Sequence, residues 1–143
     1  MARGSYKIPE DFLLKVSTLA EKTDEIIPKV LEAGGEVVKA KVKANLQASI
    51  GNDTKLNSRS TGELANSLGV SPAGIDRDGN YNVKVGFDEP RKDGESNAKL
   101  ANIIEYGKSG QPAKPFLKPA KTSSRNACID AMKRKLDEEI NKI

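Results

Sequence analysis

The stretch Gly107-Lys108-Ser109 contains the residue types that bind phosphate in a glycine-rich loop. A phosphate loop needs another glycine five residues before the Gly of Gly-Lys-Ser, so that backbone N–H groups can surround the phosphates. That position holds Asn102, and the apolar spacing before it predicts a helix where the motif requires a strand. We therefore predict no nucleotide site at this stretch.

Carboxylates offer a second candidate chemistry, a metal-dependent nuclease site. The candidates are Asp76, Asp78, Asp88, Glu89 and Glu105. Most of them fall at a predicted turn or in a charged loop, where solvated acids are the rule. The chain has no histidine and one cysteine, which removes Ser-His-Asp and Cys-His nucleophile systems, His-ligated zinc and thiolate clusters. We predict no catalytic residue, no metal site and no cofactor.

Residues 106–125 carry basic side chains and no acid. The basic residues are Lys108, Lys114, Lys118, Lys121 and Arg125, here called the basic strip. One interpretation is a solvated loop and helix start; the other is a surface that faces DNA or an acidic partner. The whole chain has 24 basic and 20 acidic residues, a formal net charge of +4, which permits contact with nucleic acid without requiring it. Both interpretations stay open here.

The N-terminal part of the chain predicts two helices that precede these residues. Apolar residues at helical spacing predict a first helix that ends near Lys22 and a long helix over residues 23–49. Gly34-Gly35 interrupts the second pattern, and we interpret this pair as a kink or a close helix crossing. After a polar loop at 51–60, Thr61 is expected to cap a short helix.

The middle of the chain predicts a β-hairpin. Apolar and polar residues alternate over residues 81–88, and Asp78-Gly79 supplies a turn. Pro72 confines the incoming strand to an edge or a short stretch. A charged loop at 89–97 follows, and Ser96 or Asn97 then caps a helix that Gly107 ends.

A last helix is predicted after the proline-rich corner. Its apolar stripe consists of Ile129, Met132, Leu136, Ile140 and Ile143. Together the elements predict one α+β domain over residues 1–143, with long N-terminal helices and a C-terminal helix packed on a small antiparallel β-sheet. Residues 1–22 would form a peripheral arm and residues 23–143 the core. No apolar run approaches the length of a membrane span.

Two segments together resemble one family. The first is STGELANSL, residues 60–68, and the second is LANIIEYGKSGQPAKPFLKPA, residues 100–120, followed by an amphipathic C-terminal helix. Their order is a Thr-Gly-x-Leu helix start, a hairpin, an Ala-x-x-x-Glu-aromatic-Gly segment and a Pro-Phe-Leu-basic-Pro-Ala corner. This order is similar to that of the small neck proteins of tailed bacteriophages and prophages, the head–tail joining or tail-completion family. The resemblance spans residues 36–140.

The resemblance implies a non-enzymatic virion structural protein without a cofactor, made in the bacterial host cytoplasm and assembled into the neck of the virion. Tails have sixfold symmetry, so it implies a ring of this chain, hexameric in the virion. Other neck, connector and tail-tube proteins would be partners, with passing contact to DNA and none to a membrane. Ring closure needs two different patches, and the hairpin edge could supply one by strand addition. The alternative function is a small DNA-binding accessory protein that uses the basic strip.

The family motifs carry over to this sequence with architectural roles. The matching positions are Thr61, Gly62, Leu64, Glu105, Tyr106, Gly107, Pro115, Phe116, Leu117, Pro119 and Ala120. We expect Phe116 and Leu117 to fill the core and Pro119 to begin the last helix. Glu105 is expected to accept hydrogen bonds from the loop backbone after Gly107.

Overall fold

A computed structural model describes residues 9–49, 63–88 and 96–143. The elements in chain order are α1 (Glu10–Glu21), α2 (Thr23–Ser49), α3 (Glu63–Asn66), β1 (Leu68–Val70), β2 (Gly74–Ile75), β3 (Tyr81–Asn82), β4 (Val85–Phe87), α4 (Asn97–Tyr106) and α5 (Leu117–Asn141). The predicted α+β class is confirmed. The polar loop at 51–60, the predicted cap Thr61, and residues 89–95 of the charged loop lie outside the described residues.

Helices α2 and α5 form an antiparallel pair. Lys29 near the start of α2 meets Glu139 near the end of α5, with 3.5 Å between Nζ and Oε2. The Asn45 side chain near the end of α2 donates to the Phe116 carbonyl oxygen at 3.3 Å. A Cβ added to Gly34 would lie 2.7 Å from the Met132 Cγ. The predicted close helix crossing is therefore confirmed, and α2 continues through it without interruption.

The four strands form one antiparallel ribbon that lies against α2. Strand β1 pairs with β4 and β2 pairs with β3, and the ribbon reverses at Gly79, whose φ of 82° favours glycine. Between the two paired stretches, the Ser71 N–H donates to the Lys84 carbonyl at 2.8 Å. Pro72 follows there, so each strand is short, as predicted. A Cβ on Gly35 would lie 2.8 Å from the Val70 Cγ1, which shows how closely the ribbon approaches α2.

The core lies where α2, α3, α4, the ribbon and the start of α5 meet. Its buried members are Val42, Leu46, Leu64, Ala65, Leu68, Ala101, Phe116 and Ala120. Phe116 and Leu46 are completely buried. The rings of Phe116 and Phe87 meet edge to face, with centroids 6.3 Å apart, a favoured aromatic geometry.

Two predictions about α5 are wrong. The helix begins at Leu117 rather than at Pro119, because a side chain from α4 satisfies the N–H groups of its first turn. The predicted apolar stripe is buried only in part: Met132 lies against Gly34 of α2, but Leu136 is 37% exposed, and the fully buried positions are Ala120 and Ser124. The physical reason is the close approach of α2 at Gly34, which leaves room only for small or adaptable side chains on the facing side of α5.

Candidate functional site

The corner between α4 and α5 is organised around the Glu105 carboxylate. Its Oε2 accepts the backbone N–H of Phe116 at 2.7 Å and that of Leu117 at 2.9 Å. Its Oε1 accepts the N–H of Lys118 at 3.1 Å. The first turn of a helix has N–H groups without partners in the helix, and Phe116, the N-cap residue, offers no side-chain hydrogen bond. Glu105 therefore caps α5 from the neighbouring helix.

The charge of Glu105 is stabilised at this position. Burial alone would raise the pKa of the Glu105 carboxyl, but the three backbone N–H donors, with the nearby Lys118 ammonium, outweigh burial and lower this pKa from its ordinary value. The negative charge also complements the positive end of the α5 dipole. With both oxygens engaged by backbone donors, the ionised carboxylate serves as a structural cap.

A tight turn connects the two helices. Gly107 ends α4 with φ 79°, and a Cβ there would lie 2.8 Å from the Ala113 backbone nitrogen, so any larger residue would be strained. The N–H groups of Lys108 and Gln111 each donate to the other residue's carbonyl at 2.9 Å. These donors are engaged within the turn, so the Gly-Lys-Ser stretch does not form a phosphate-binding loop.

The other motif residues occupy mixed environments. Leu64 and Ala120 are buried beside Phe116. Leu117, in contrast, is 36% exposed and Tyr106 is 78% exposed, so the expectation that Leu117 fills the core is wrong. Pro115 and Pro119 are exposed. Thr61 and Gly62 lie outside the described residues.

The basic strip divides into two parts. Lys118, Lys121 and Arg125 are exposed on α5, and their spacing places them on one helical face. Lys108 lies on the exposed turn and Lys114 is half-buried. The structure thus places three of the five basic residues on one exposed face of α5.

Two of the carboxylates considered for metal binding, Glu105 and Asp76, have structural partners. Asp76 Oδ1 accepts the N–H groups of Asp78 and Asn80, both at 2.9 Å, and so fixes the ribbon turn. Within residues 9–49, 63–88 and 96–143, no group of three or more His, Cys, Asp or Glu side chains could hold a metal ion. Glu89 lies outside these ranges.

A second buried carboxylate, which the sequence pattern did not single out, lies where the N-terminal part of α2 meets the C-terminal part of α5. Glu139 is 6% exposed and faces the ammonium groups of Lys29, Lys135 and Lys142 at 3.1–3.5 Å. The hydrogen bond from Lys142 is the largest of the influences that together lower the pKa of the Glu139 carboxyl. Lys135 lies four residues before Glu139 and Lys142 three residues after it. This helical spacing is the sequence signal that could have indicated the cluster.

Helix α1 is the region that the structure leaves most open. None of its residues is buried, and its large apolar side chains are exposed to 58% at Phe12, 49% at Leu13, 67% at Leu14 and 47% at Val16. Exposed apolar side chains that are contiguous indicate an interaction surface. The sequence signals an apolar helical face here, but it does not tell whether the same chain or another one covers that face. None of the helices in the described part of the chain is long and apolar enough to span a membrane.

A comparison with known families gives a match over most of the chain. The family model described as "Bacteriophage HK97-gp10, putative tail-component" matches residues 10–107. The match begins with α1 and ends at Gly107, so α5 and the whole basic strip follow it. No curated protein and no solved structure is significantly similar to the chain. Because the match covers more than half of the 143 residues, the chain belongs to the HK97 gp10-like family of phage tail components.

Proposed function

We propose that this chain is a non-enzymatic structural subunit of the phage neck, which joins or completes the tail at the head–tail interface. Membership of a tail-component family supports a role in the virion. The order of the Thr-Gly-x-Leu, Glu-Tyr-Gly and Pro-Phe-Leu motifs supports the narrower assignment to the neck.

The observation that carries a role in assembly is the exposure of α1. Four large apolar side chains project from a helix without a single buried residue. Apolar surface gains about 25 cal/mol for each Å² that is removed from water. The isolated chain does not obtain this stabilisation at α1, but a subunit that packs this helix against another chain does.

The corner supports an architectural role for the motif residues. Glu105 accepts three backbone hydrogen bonds and Phe116 is completely buried. These residues fix the angle between α4 and α5, and with it the position of the surface that α5 presents. Such a role needs neither a proton donor nor a cofactor.

We infer a ring as the form in which the subunit works. Six copies would match the symmetry of a phage tail, and the ring would contact connector and tail-tube proteins on its two sides. A closed ring of identical copies requires a heterologous interface, in which two different patches of the same chain meet.

The test is to delete the coding sequence of this chain from the phage or prophage and to image the particles by electron microscopy. We expect filled heads and separate tails, and we expect joined particles again when the intact chain is supplied in trans. Normal infectious particles without the chain would contradict the proposal.

A further inference from the structure

The apolar face of α1 has a defined length and a defined charge at one end. Phe12, Leu13, Val16 and Ala20 recur at helical spacing on this face, and all four are exposed. Glu10 and Asp11 occupy the first turn, and no basic residue lies in the last turn. The helix is therefore apolar along this face and acidic in its first turn.

Helix α5 has an outward surface with the complementary order. Its apolar part is formed by Ile129, Leu136, Ile140 and Ile143, which recur at helical spacing. Leu136 is 37% exposed and the three isoleucines are half-buried. One to three turns earlier, the same face carries the exposed cations Lys118, Lys121 and Arg125. We call this combination the outer face of α5.

We propose that α1 of one copy packs lengthwise on the outer face of α5 of a neighbouring copy, and that this contact is the repeating interface of the ring. The inference rests on the proposed function, because that function supplies the need for a ring. It names the surface and the partner, which is a second copy of this chain.

The dimensions of the two faces match. Glu10 and Ala20 are ten residues apart and Arg125 and Leu136 are eleven apart, which at 1.5 Å per residue corresponds to about 15 Å and about 16.5 Å. When Glu10 lies beside Arg125, Ala20 lies beside Leu136. Phe12 and Val16 then pack around Ile129.

Charge selects the direction of this packing. With the two helices parallel, Glu10 and Asp11 face the cations of the outer face. In the opposite direction the acids of α1 would lie beside the apolar Leu136 and Ile140, away from these cations. That arrangement loses the opposite-charge contacts, which therefore favour the parallel one.

A pairing of α1 with α1 explains less of the surface. Such a contact is two-fold symmetric and closes at two copies. It would also leave Leu136 and the half-buried isoleucines of α5 uncovered. The contact between α1 and α5 uses both surfaces. In a row of copies, α1 stays free at one end and the outer face of α5 at the other, so that further copies can add until the ring closes.

Cysteine cross-linking of the full chain tests the contact. In a Cys128→Ala background, which removes the only native thiol, Ala20→Cys and Leu136→Cys are placed in one chain and oxidised. We expect a ladder of dimers, trimers and larger species. Two single-cysteine chains mixed together should stop at cross-linked dimers, because each carries only one of the two cysteines. The matched control combines Ala20→Cys with Ile75→Cys, since Ile75 is 64% exposed on the ribbon, and should cross-link at least tenfold less.

Charge exchange tests the direction. Arg125→Glu should reduce the yield of mixed dimers at least fivefold at low salt, and Glu10→Lys on the other chain should restore it. Dimers of Ala20→Cys alone that match the yield of the mixture would overturn the proposal in favour of α1 pairing. Equal yields for the control pair, cross-links only within one chain, or no cross-linking would also overturn it. Binding of the Arg125→Glu variant to a duplex DNA oligonucleotide is measured as well. Loss of DNA binding with an unchanged cross-link yield would assign the cations to DNA and contradict the charge argument.

The deletion experiment separates this inference from the proposed function. Separate heads and tails in the deletion, together with absent cross-links, would contradict only the proposed α1–α5 contact. Normal particles in the deletion, together with a cross-linked ladder, would support the contact and contradict the neck assignment.

Discussion

The α4–α5 corner and helix α1 use similar side chains in opposite ways. At the corner, Phe116 is completely buried and the Glu105 carboxylate is saturated by backbone donors. In α1, Phe12 is 58% exposed and the acids of the first turn provide no N-cap hydrogen bond. The corner directs its interactions into its own chain, and α1 leaves its apolar surface available to another.

This difference separates residues that maintain the fold from residues that are available for assembly. Substitutions at the corner should lower the free energy of unfolding, whereas substitutions in α1 should leave it unchanged and affect association.

The largest effect is expected for Phe116→Ala. Loss of a completely buried aromatic side chain should lower the free energy of unfolding by about 3–5 kcal/mol. Phe12→Ala removes the same atoms from an exposed position and should change it by less than about 0.5 kcal/mol. Urea denaturation of both variants gives the comparison, and equal effects would remove the distinction between the two regions.

Glu105→Gln should have the next largest effect. The amide keeps one acceptor oxygen but places a donor among backbone N–H groups, so we expect a loss of about 2 kcal/mol. Glu36→Gln, in an exposed i,i+3 ion pair with Lys39, is the control and should be nearly neutral. A Glu105→Gln variant as stable as the wild type would show that the cap contributes little.

The same variant should change the response to acid. Because folding lowers the pKa of Glu105 below its ordinary value of 4.5, its stabilisation is fully present above that value and is lost as the pH falls through the lowered pKa. The difference in unfolding free energy between wild type and Glu105→Gln should therefore be constant above that range and shrink below it. A difference that stays constant down to the most acidic pH at which both proteins fold would contradict this assignment.

Gly35→Ala tests the contact between α2 and the ribbon. A Cβ there would lie 2.8 Å from the Val70 Cγ1, and a β-branched side chain has little freedom to move away. The overpacking should exceed the gain in helix propensity and cost a net amount of about 1 kcal/mol. Gly86→Ala, where a Cβ would meet nothing within 4 Å, should not destabilise. Thermal denaturation of the two variants distinguishes the outcomes.

Ser124→Ala should have an effect of similar size to that of Gly35→Ala, but in the opposite direction. The Ser124 hydroxyl is buried on α5 and has no hydrogen-bond partner among the described residues. Its removal should raise the free energy of unfolding by about 1 kcal/mol. A measurable loss of stability would show that the hydroxyl has a partner outside those residues.

Local signals in the sequence predicted much of the fold. The acids after Pro9, the Asp78-Gly79 turn and the cap at Ser96 act over a few residues, and the structure places a helix start or a turn at each of them. The beginning of α5 could not be predicted in this way, because Glu105 satisfies its N–H groups from another helix. The buried face of α5 depends on the close approach of Gly34, which is a property of the packing between two helices.

The candidate interaction surface was the hardest part to predict. The apolar spacing of α1 and that of α5 both resemble the buried face of a helix in a single chain. The pattern states that the surface is apolar, but burial inside one chain and burial between two chains give the same spacing. Only the packed structure shows that, among the described residues, the apolar face of α1 stays exposed and the outer face of α5 is covered only in part.

The most direct test of the account is the assembly of phage particles with a chain that carries Phe12→Ser and Val16→Ser. The account predicts a melting temperature equal to that of the wild type, together with heads and tails that remain separate in electron micrographs. Joined, infectious particles at wild-type yield would show that the apolar face of α1 has no part in assembly and would contradict the central claim.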